Sequence, residues 1–450
     1  MVREAGIARR LLAALALSLL ASVLNPAALA ASVGSLPLPY QSDGKHLGVA
    51  TCASSVCHGS VVPASGHDVR LDEFVTWSHS DKHSQAYGAL SSEKGKAISA
   101  RLGIGDARTD NTCLGCHADN VPVQRRGPGF SIADGVSCEA CHGGANAWLA
   151  SHHTRGASHA ENLARGMYPT DKLGDRARLC MSCHIGNEDK FATHRIMGAG
   201  HPRLAIELDT FLALEPPHYQ VDEDYAKRKP VYSHTQVWVF GQLAAAQAQL
   251  TLLQGPLMRQ QTFMPELALL DCHACHENPM HRADWSRDAL TRMLPAGSAP
   301  FADGHLKMAL VIARALDPGQ ANTMMSRAQA LQKASAQGRE QVLATSAQLA
   351  ESVARAIDLA ESHAWSEAER RSLMRQIVES GAAGEYGNYI SAEQAVMALK
   401  LLMIDAGVAA RYRDHLDQLY RILHDDDAYK PAQLRESLST LATAIRTGSP

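Results

Sequence analysis

The ten cysteines of this 450-residue chain fall into five close pairs, and a histidine directly follows each pair. Four pairs have two residues between the cysteines, and the most N-terminal pair has four. C-x-x-C-H is the signature of c-type haem attachment, in which two thiols bond to the porphyrin and the histidine ligates the iron. The sequence therefore predicts five covalently attached c-type haems. The predicted attachment residues are Cys52, Cys57, Cys113, Cys116, Cys138, Cys141, Cys180, Cys183, Cys272 and Cys275, and the predicted proximal ligands are His58, His117, His142, His184 and His276.

The standard spacing has a physical reason. Positions i, i+3 and i+4 of a helical turn share a face, so both thiols and the imidazole reach one ring. Cys52 and Cys57 cannot lie on one such face, and we expect the first thiol to reach its ring from a bulged loop. Paired cysteines also bind zinc or form disulfides in exported proteins. Neither alternative accounts for the five trailing histidines, although a disulfide stays open for Cys52 and Cys57.

Composition and patterning predict a mainly α fold in two parts. Residues 31–295 hold all the motifs and are rich in Gly, Pro and His, which indicates short helices and long loops around the haems. Aromatic residues make up only 5% of the chain, so porphyrins are expected to fill much of this part. An apolar helix is predicted over residues 235–253, and its glutamines favour a buried helix over a membrane span.

Residues 296–450 contain no cysteine and are predicted to form a helical bundle. One buried helix face is predicted from apolar residues at offsets of seven, four and four, at Val342, Leu349, Val353 and Ile357. Two capping boxes predict helix starts, at Ser366 with Glu369 and at Ser391 with Gln394. His363, His415 and His424 are expected on the surface rather than on iron.

The N-terminus has the pattern of an export signal. A positive segment with Arg3, Arg9 and Arg10 precedes the apolar residues 11–24, and Ala28-Leu29-Ala30 has the form that signal peptidase cleaves. Residues 1–30 are therefore predicted as a signal peptide, which places the mature chain in the periplasm without stable membrane insertion. The alternative is an uncleaved anchor. The formal net charge of −3 does not suggest a nucleic-acid partner.

The ligand on the far side of each iron decides the chemistry. The chain has 22 histidines, so seventeen remain beside the proximal five. His201 stands in a turn where Gly198 and Gly200 allow close approach of the backbone and Pro202 restricts the histidine before it. Such a turn is suited to presenting an imidazole to an iron.

These segments give the chain a resemblance to a known family. Residues 77–87, 135–144, 148–152 and 194–208 resemble the multihaem cytochromes c related to the tetrahaem electron carrier of hydroxylamine oxidation. The resemblance covers roughly residues 50–280. It implies distal iron ligands, which are His83, His152, His194 and His201. His79 and His153 are the alternatives to His83 and His152. The resemblance leaves the C-terminal third and the fifth haem motif unexplained.

Two functions fit these features. If two histidines hold every iron, the chain carries electrons between redox proteins through closely packed haems. If one iron has an open distal position, the chain is an oxidoreductase acting on a small nitrogen or sulfur compound. The resemblance covers proteins of both kinds, and we expect electron transfer.

Overall fold

The computed structural model of this protein describes residues 36–64, 69–259, 266–276, 288–295 and 297–448. The predicted signal peptide, residues 1–30, lies outside these residues. In the described ranges the chain is helical, with two isolated β-bridges and no strand. The predicted fold class is confirmed: short helices come first and long helices follow.

Most helices of the first half are short, and turns or 3₁₀ segments separate them. Polar side chains begin many of them: Ser92, Asp110 and Thr193 each accept a hydrogen bond from a backbone N–H of the helix that follows. In chain order the helices are α1 (Glu73–Ser80), α2 (Ala86–Ala89), α3 (Glu93–Leu102), α4 (Asn111–His117), α5 (Cys138–His142), α6 (Leu149–His152), α7 (His159–Ala164), α8 (Leu173–His184), α9 (His194–Gly198), α10 (Leu208–Leu214), α11 (Glu223–Arg228), α12 (His234–Gln254), α13 (Pro256–Arg259) and α14 (His273–His276). Short 3₁₀ segments lie at Val49–Thr51, Lys82–Gln85, Val123–Arg125, Ile132–Asp134, Ala145–Ala147 and Leu267–Leu269.

The second half contains longer helices. They are α15 (Gly304–Leu316), α16 (Pro318–Ala334), α17 (Arg339–Glu361), α18 (Glu367–Ala382), α19 (Tyr389–Asp405), α20 (Arg413–Ile422) and α21 (Pro431–Thr447). The predicted apolar stripe forms one face of α17, where Val342, Leu349 and Val353 are buried. These helices form the expected bundle.

Helix α12 is the buried helix predicted over residues 235–253. It packs against α8 on one side and against α15, α17 and α19 of the bundle on others, which explains why apolar residues occur all around it. Its buried Gln242 is satisfied internally: the side-chain amide donates to Gln394 at 2.7 Å and its oxygen lies 2.9 Å from Nδ1 of His305. The helix thus joins the motif-bearing part to the bundle.

One hydrophobic core extends from Leu173 to Ala444 and so crosses the predicted domain boundary at residues 295 and 296. Buried ion pairs fasten the same region: Lys307 contacts Asp288 at 2.6 Å and Asp303 at 3.0 Å. The division into two domains stays a prediction. Among the helices that the structure describes, none is both long and apolar enough to cross a membrane.

Candidate haem sites

The histidine of each standard motif is the last residue of a helix. Helices α4, α5, α8 and α14 end at His117, His142, His184 and His276. The preceding cysteines therefore lie in the last helical turn, on the face expected from their spacing. In the N-terminal motif the chain turns instead, and the backbone N–H of His58 donates to the carbonyl of Cys52 at 3.1 Å. We number the five motifs as sites 1 to 5 in chain order.

A second imidazole faces the histidine of every motif. Site 1 pairs His58 with His152 at a ring-centroid distance of 6.0 Å, site 2 pairs His117 with His201 at 6.3 Å, site 3 pairs His142 with His218 at 6.4 Å, site 4 pairs His184 with His83 at 6.3 Å, and site 5 pairs His276 with His194 at 6.1 Å. A metal–imidazole bond is about 2 Å long and the centroid lies about 1.2 Å behind the bonding nitrogen, so one metal between two imidazoles separates their centroids by about 6.4 Å. The five pairs have the spacing that fits an iron held from both sides.

Hydrogen bonds to Nδ1 orient several of these rings. His117 donates to the carbonyl of Ala86 at 2.9 Å and His201 to the carbonyl of Pro202 at 2.7 Å. A carbonyl only accepts, so the proton lies on Nδ1 and the Nε2 lone pair is free to bind a metal. The Nδ1 atoms of His58 and His83 instead face carboxylates, which are described below.

Burial favours the neutral form of three of these rings. Burial lowers the pKa of His142 to about 3 and also lowers the pKa values of His184 and His201 below their usual range. A metal ligand must be a neutral imidazole, so these environments favour the form that binds iron. The hydrogen bond to a carboxylate raises the pKa of His58 instead.

The turn that carries His201 has the geometry expected from its glycines. Gly200 has a φ of 111°, which L-residues with side chains rarely adopt. A Cβ at Gly200 would also meet Nη1 of Arg101 at 2.9 Å. Gly198 is the last residue of α9, and an added Cβ there would meet open space. Only Gly200 is therefore required by the backbone.

The thiols show which sites are neighbours. All ten cysteines have free thiols, and none lies in a disulfide. The Cys52 thiol of site 1 lies beside the Cys138 thiol of site 3, and the thiols of Cys116 and Cys183 bring sites 2 and 4 together in the same way. The thiol of Cys141, at site 3, is within electrostatic range of the two site 4 thiols.

A cavity lies beside site 5. Cys272 is part of its wall, and most of the lining is apolar, from α9 and α12 and from the bundle helices α15, α16 and α19. This apolar lining suits a mostly apolar cofactor attached at Cys272. Arg203 also lines it and donates to both carboxylate oxygens of Glu393 at 3.0 Å. The bundle thus completes the surroundings of the fifth motif.

The nine histidines predicted from the sequence are all members of these pairs, and the tenth member is His218. Sequence reasoning missed His218, although Pro216 and Pro217 precede it and give it the same kind of rigid setting that singled out His201. His79 and His153, the two alternatives, are exposed and take no part in the pairs that the structure describes. Apart from these pairs, the described residues contain one group of three side chains that could hold a metal ion. It consists of Asp81, His83 and Glu215.

Comparison with known proteins gives one finding. Residues 51–143 match the family model described as cytochrome c554 and c-prime. This range contains the motifs of sites 1, 2 and 3 and supports a c-type cytochrome with covalently bound haem. The specific relation to the tetrahaem carrier stays a prediction. No curated protein and no solved structure matches the chain significantly.

Proposed function

We propose that this chain is an exported pentahaem c-type cytochrome that transfers electrons between redox proteins. The observation that carries the proposal is the opposing imidazole at every motif histidine. In this proposal each pair of cysteines attaches one haem c and each pair of histidines holds its iron. His218 is the distal ligand of site 3, and the other distal ligands are His152, His201, His83 and His194 for sites 1, 2, 4 and 5.

The paired imidazoles favour a carrier over an oxidoreductase. A haem held by two histidines would supply one-electron exchange between Fe(III) and Fe(II) at a low-spin iron. An oxidoreductase of the kind considered above needs a proximal histidine that no imidazole faces, and all five motif histidines are faced by one. Two imidazoles would then hold each iron and leave it no position for substrate or water.

The neighbouring thiols suggest the order in which electrons pass. A thiol of site 1 contacts a thiol of site 3, and a thiol of site 4 contacts a thiol of site 2. The thiols of sites 3 and 4 are close enough to interact electrostatically. We place site 5 beside site 2 because their distal histidines are close in the sequence. His194 begins the short helix α9, and His201 follows the end of that helix. We therefore propose a path of sites 1, 3, 4, 2 and 5.

Export is part of the proposal because c-type haem is attached outside the cytoplasm. The predicted signal peptide, residues 1–30, would deliver the chain to the periplasm, with cleavage near Ala30. The partners are redox proteins, and no nucleic acid is expected. Recovery of a mature N-terminus near Ala31 from the periplasmic fraction tests this part.

The spin state of the oxidised holoprotein tests the function. Electron paramagnetic resonance should show low-spin signals that account for all five irons, and the reduced protein should not bind carbon monoxide. A high-spin fraction near one in five, with matching binding of carbon monoxide, would contradict the carrier and favour the oxidoreductase.

A further inference from the structure

The partners of the paired imidazoles differ between sites. At site 1, Nδ1 of His58 lies 2.9 Å from Oε2 of Glu73, and at site 4, Nδ1 of His83 lies 3.0 Å from Oδ1 of Asp81. At site 2 both imidazoles donate to neutral backbone carbonyls. Two sites therefore have an anionic acceptor behind one ligand, and a third has only neutral acceptors.

The carboxylate at site 1 is held by a strained turn. Leu71 has a φ of 63° and is the one non-glycine residue with positive φ among those described. This conformation is unfavourable for a residue with a side chain and is found where the surrounding structure requires it. It directs the backbone N–H groups of Arg70 and Leu71 to Oε1 of Glu73, each at 3.2 Å, which leaves Oε2 for His58. The guanidinium of Arg70 is bound by Asp72.

The carboxylate at site 4 is fixed at the end of the same helix. Asp81 follows α1 directly and is only 5% exposed. Its Oδ1 accepts from the backbone N–H of His83 at 2.9 Å as well as facing the ring. Glu215 offers a further carboxylate oxygen within 4.8 Å of these atoms. The two carboxylates thus lie at the two ends of helix α1. Glu73 is its first residue and contacts His58 of site 1, and Asp81 follows its last residue and contacts His83 of site 4.

We propose that Glu73 and Asp81 are positioning residues that hold the reduction potentials of sites 1 and 4 below that of site 2. The proposal rests on the proposed function, because it requires haem iron at these imidazoles. An anionic acceptor draws the Nδ1 proton more strongly than a carbonyl does and makes Nε2 a stronger donor, which favours Fe(III) over Fe(II). Reduction adds one electron to the iron and breaks no bond. Among these three sites, electrons therefore favour site 2.

Redox titration of the holoprotein tests the proposal with Glu73→Gln and Asp81→Asn, which keep side-chain size and remove the charge. In each variant one of the five one-electron transitions should shift upward by about tenfold in its equilibrium constant, which is about 59 mV. The other four should stay unchanged. The matched control is Asp72→Asn, which removes a neighbouring buried carboxylate that pairs with Arg70 rather than with an imidazole.

The outcomes separate the proposal from its premise. Five low-spin irons with unchanged potentials in both variants would overturn the proposal and leave the carrier function intact, whereas a high-spin iron in the parent would contradict the carrier itself. An equal shift in Asp72→Asn would also overturn the proposal, because any nearby charge would then suffice. If Glu73→Gln prevents haem loading, Asp81→Asn alone tests the proposal. A raised potential of one transition supports it, and an unchanged potential overturns it.

Discussion

His218 follows two prolines and faces His142 across 6.4 Å, with the ring planes nearly perpendicular at 88°. We predict that His218→Ala retains five haems, because attachment uses the cysteines. It should convert one iron from low spin to high spin and open it to carbon monoxide or cyanide. Absorption and paramagnetic resonance spectra of the oxidised protein measure the change.

Two histidines provide matched controls for that prediction. His79 and His153 are exposed and lie within a few residues of His83 and His152. Their replacement by alanine should leave all irons low-spin. Low-spin spectra for His218→Ala as well would show that His218 is not a ligand and would reopen the assignment of site 3.

At the residue scale the sequence was most informative where a covalent motif fixes the position. Motif spacing alone predicted ten cysteines and five histidines, while the distal candidates depended on local turns and on a resemblance. His218 escaped because distal ligands are brought to their partners by tertiary structure, and it lies 76 residues from His142 along the chain. The role of these ten histidines as ligands stays a prediction.

At the scale of helices, the prediction succeeded where an apolar pattern was long or where the interacting residues are near neighbours in the sequence. Helix α12 and the capping box of Ser366 with Glu369 are confirmed. The second predicted capping box is wrong, because α19 begins at Tyr389 and Asn388 accepts from the backbone N–H of Ser391. The amide of Asn388 also donates to Asp303 at 2.9 Å, a tertiary contact that no local pattern reveals.

Helix α17 allows a test of the bundle core. Leu349 is fully buried in the predicted stripe, and Leu349→Ala should lower the free energy of unfolding by about 2–5 kcal/mol through lost burial and a cavity. Denaturant unfolding followed by circular dichroism measures it. Leu359 on the same helix is 41% exposed, and Leu359→Ala is the control that should change stability far less. Equal losses in the two variants would contradict the packing described here.

The loop between α20 and α21 is fastened to site 5 by Asp426, which contacts Nε2 of His273 at 2.7 Å. This hydrogen bond lowers the pKa of Asp426. Burial opposes the charged form of His273, but the contact with Asp426 outweighs it and raises the pKa of His273. The stability that the Asp426 carboxylate contributes is lost as pH falls through its lowered pKa. The stability that the His273 imidazolium contributes is lost as pH rises through its raised pKa.

The contact should therefore stabilise the protein most between the ordinary values of 3.8 and 6.5 for the two groups. We predict that Asp426→Asn lowers stability in this range by up to about 1 kcal/mol, since the carboxylate is partly exposed, and less at pH 9. Thermal unfolding of the holoprotein across pH measures the difference. Asp427→Asn, at an exposed neighbour, should be neutral at every pH, and a loss independent of pH in Asp426→Asn would count against the titration.

At the scale of the whole molecule, the bundle and the motif-bearing part share one core. The sequence suggested a boundary near residue 295 because Pro and Gly cluster there, yet α12 packs on both parts. Such long-range packing has no local signal. The cavity beside Cys272 shows its consequence, since residues from α15, α16 and α19 line it. The C-terminal helices thus provide part of the environment of the fifth motif, which the resemblance left unexplained.

The number of electrons that the molecule holds tests the unusual motif at site 1. Cys52 and Cys57 have a wider spacing than the other pairs, but His58 faces His152 as the other motif histidines face their partners. We therefore predict that the mature chain has the mass of the peptide plus five haems and takes up five electrons in a reductive titration. Cys52→Ala combined with Cys57→Ala should give four haems and four electrons. Four haems in the parent would return these two cysteines to the disulfide alternative, whereas five haems with four electrons would show that one attached haem lies outside the path.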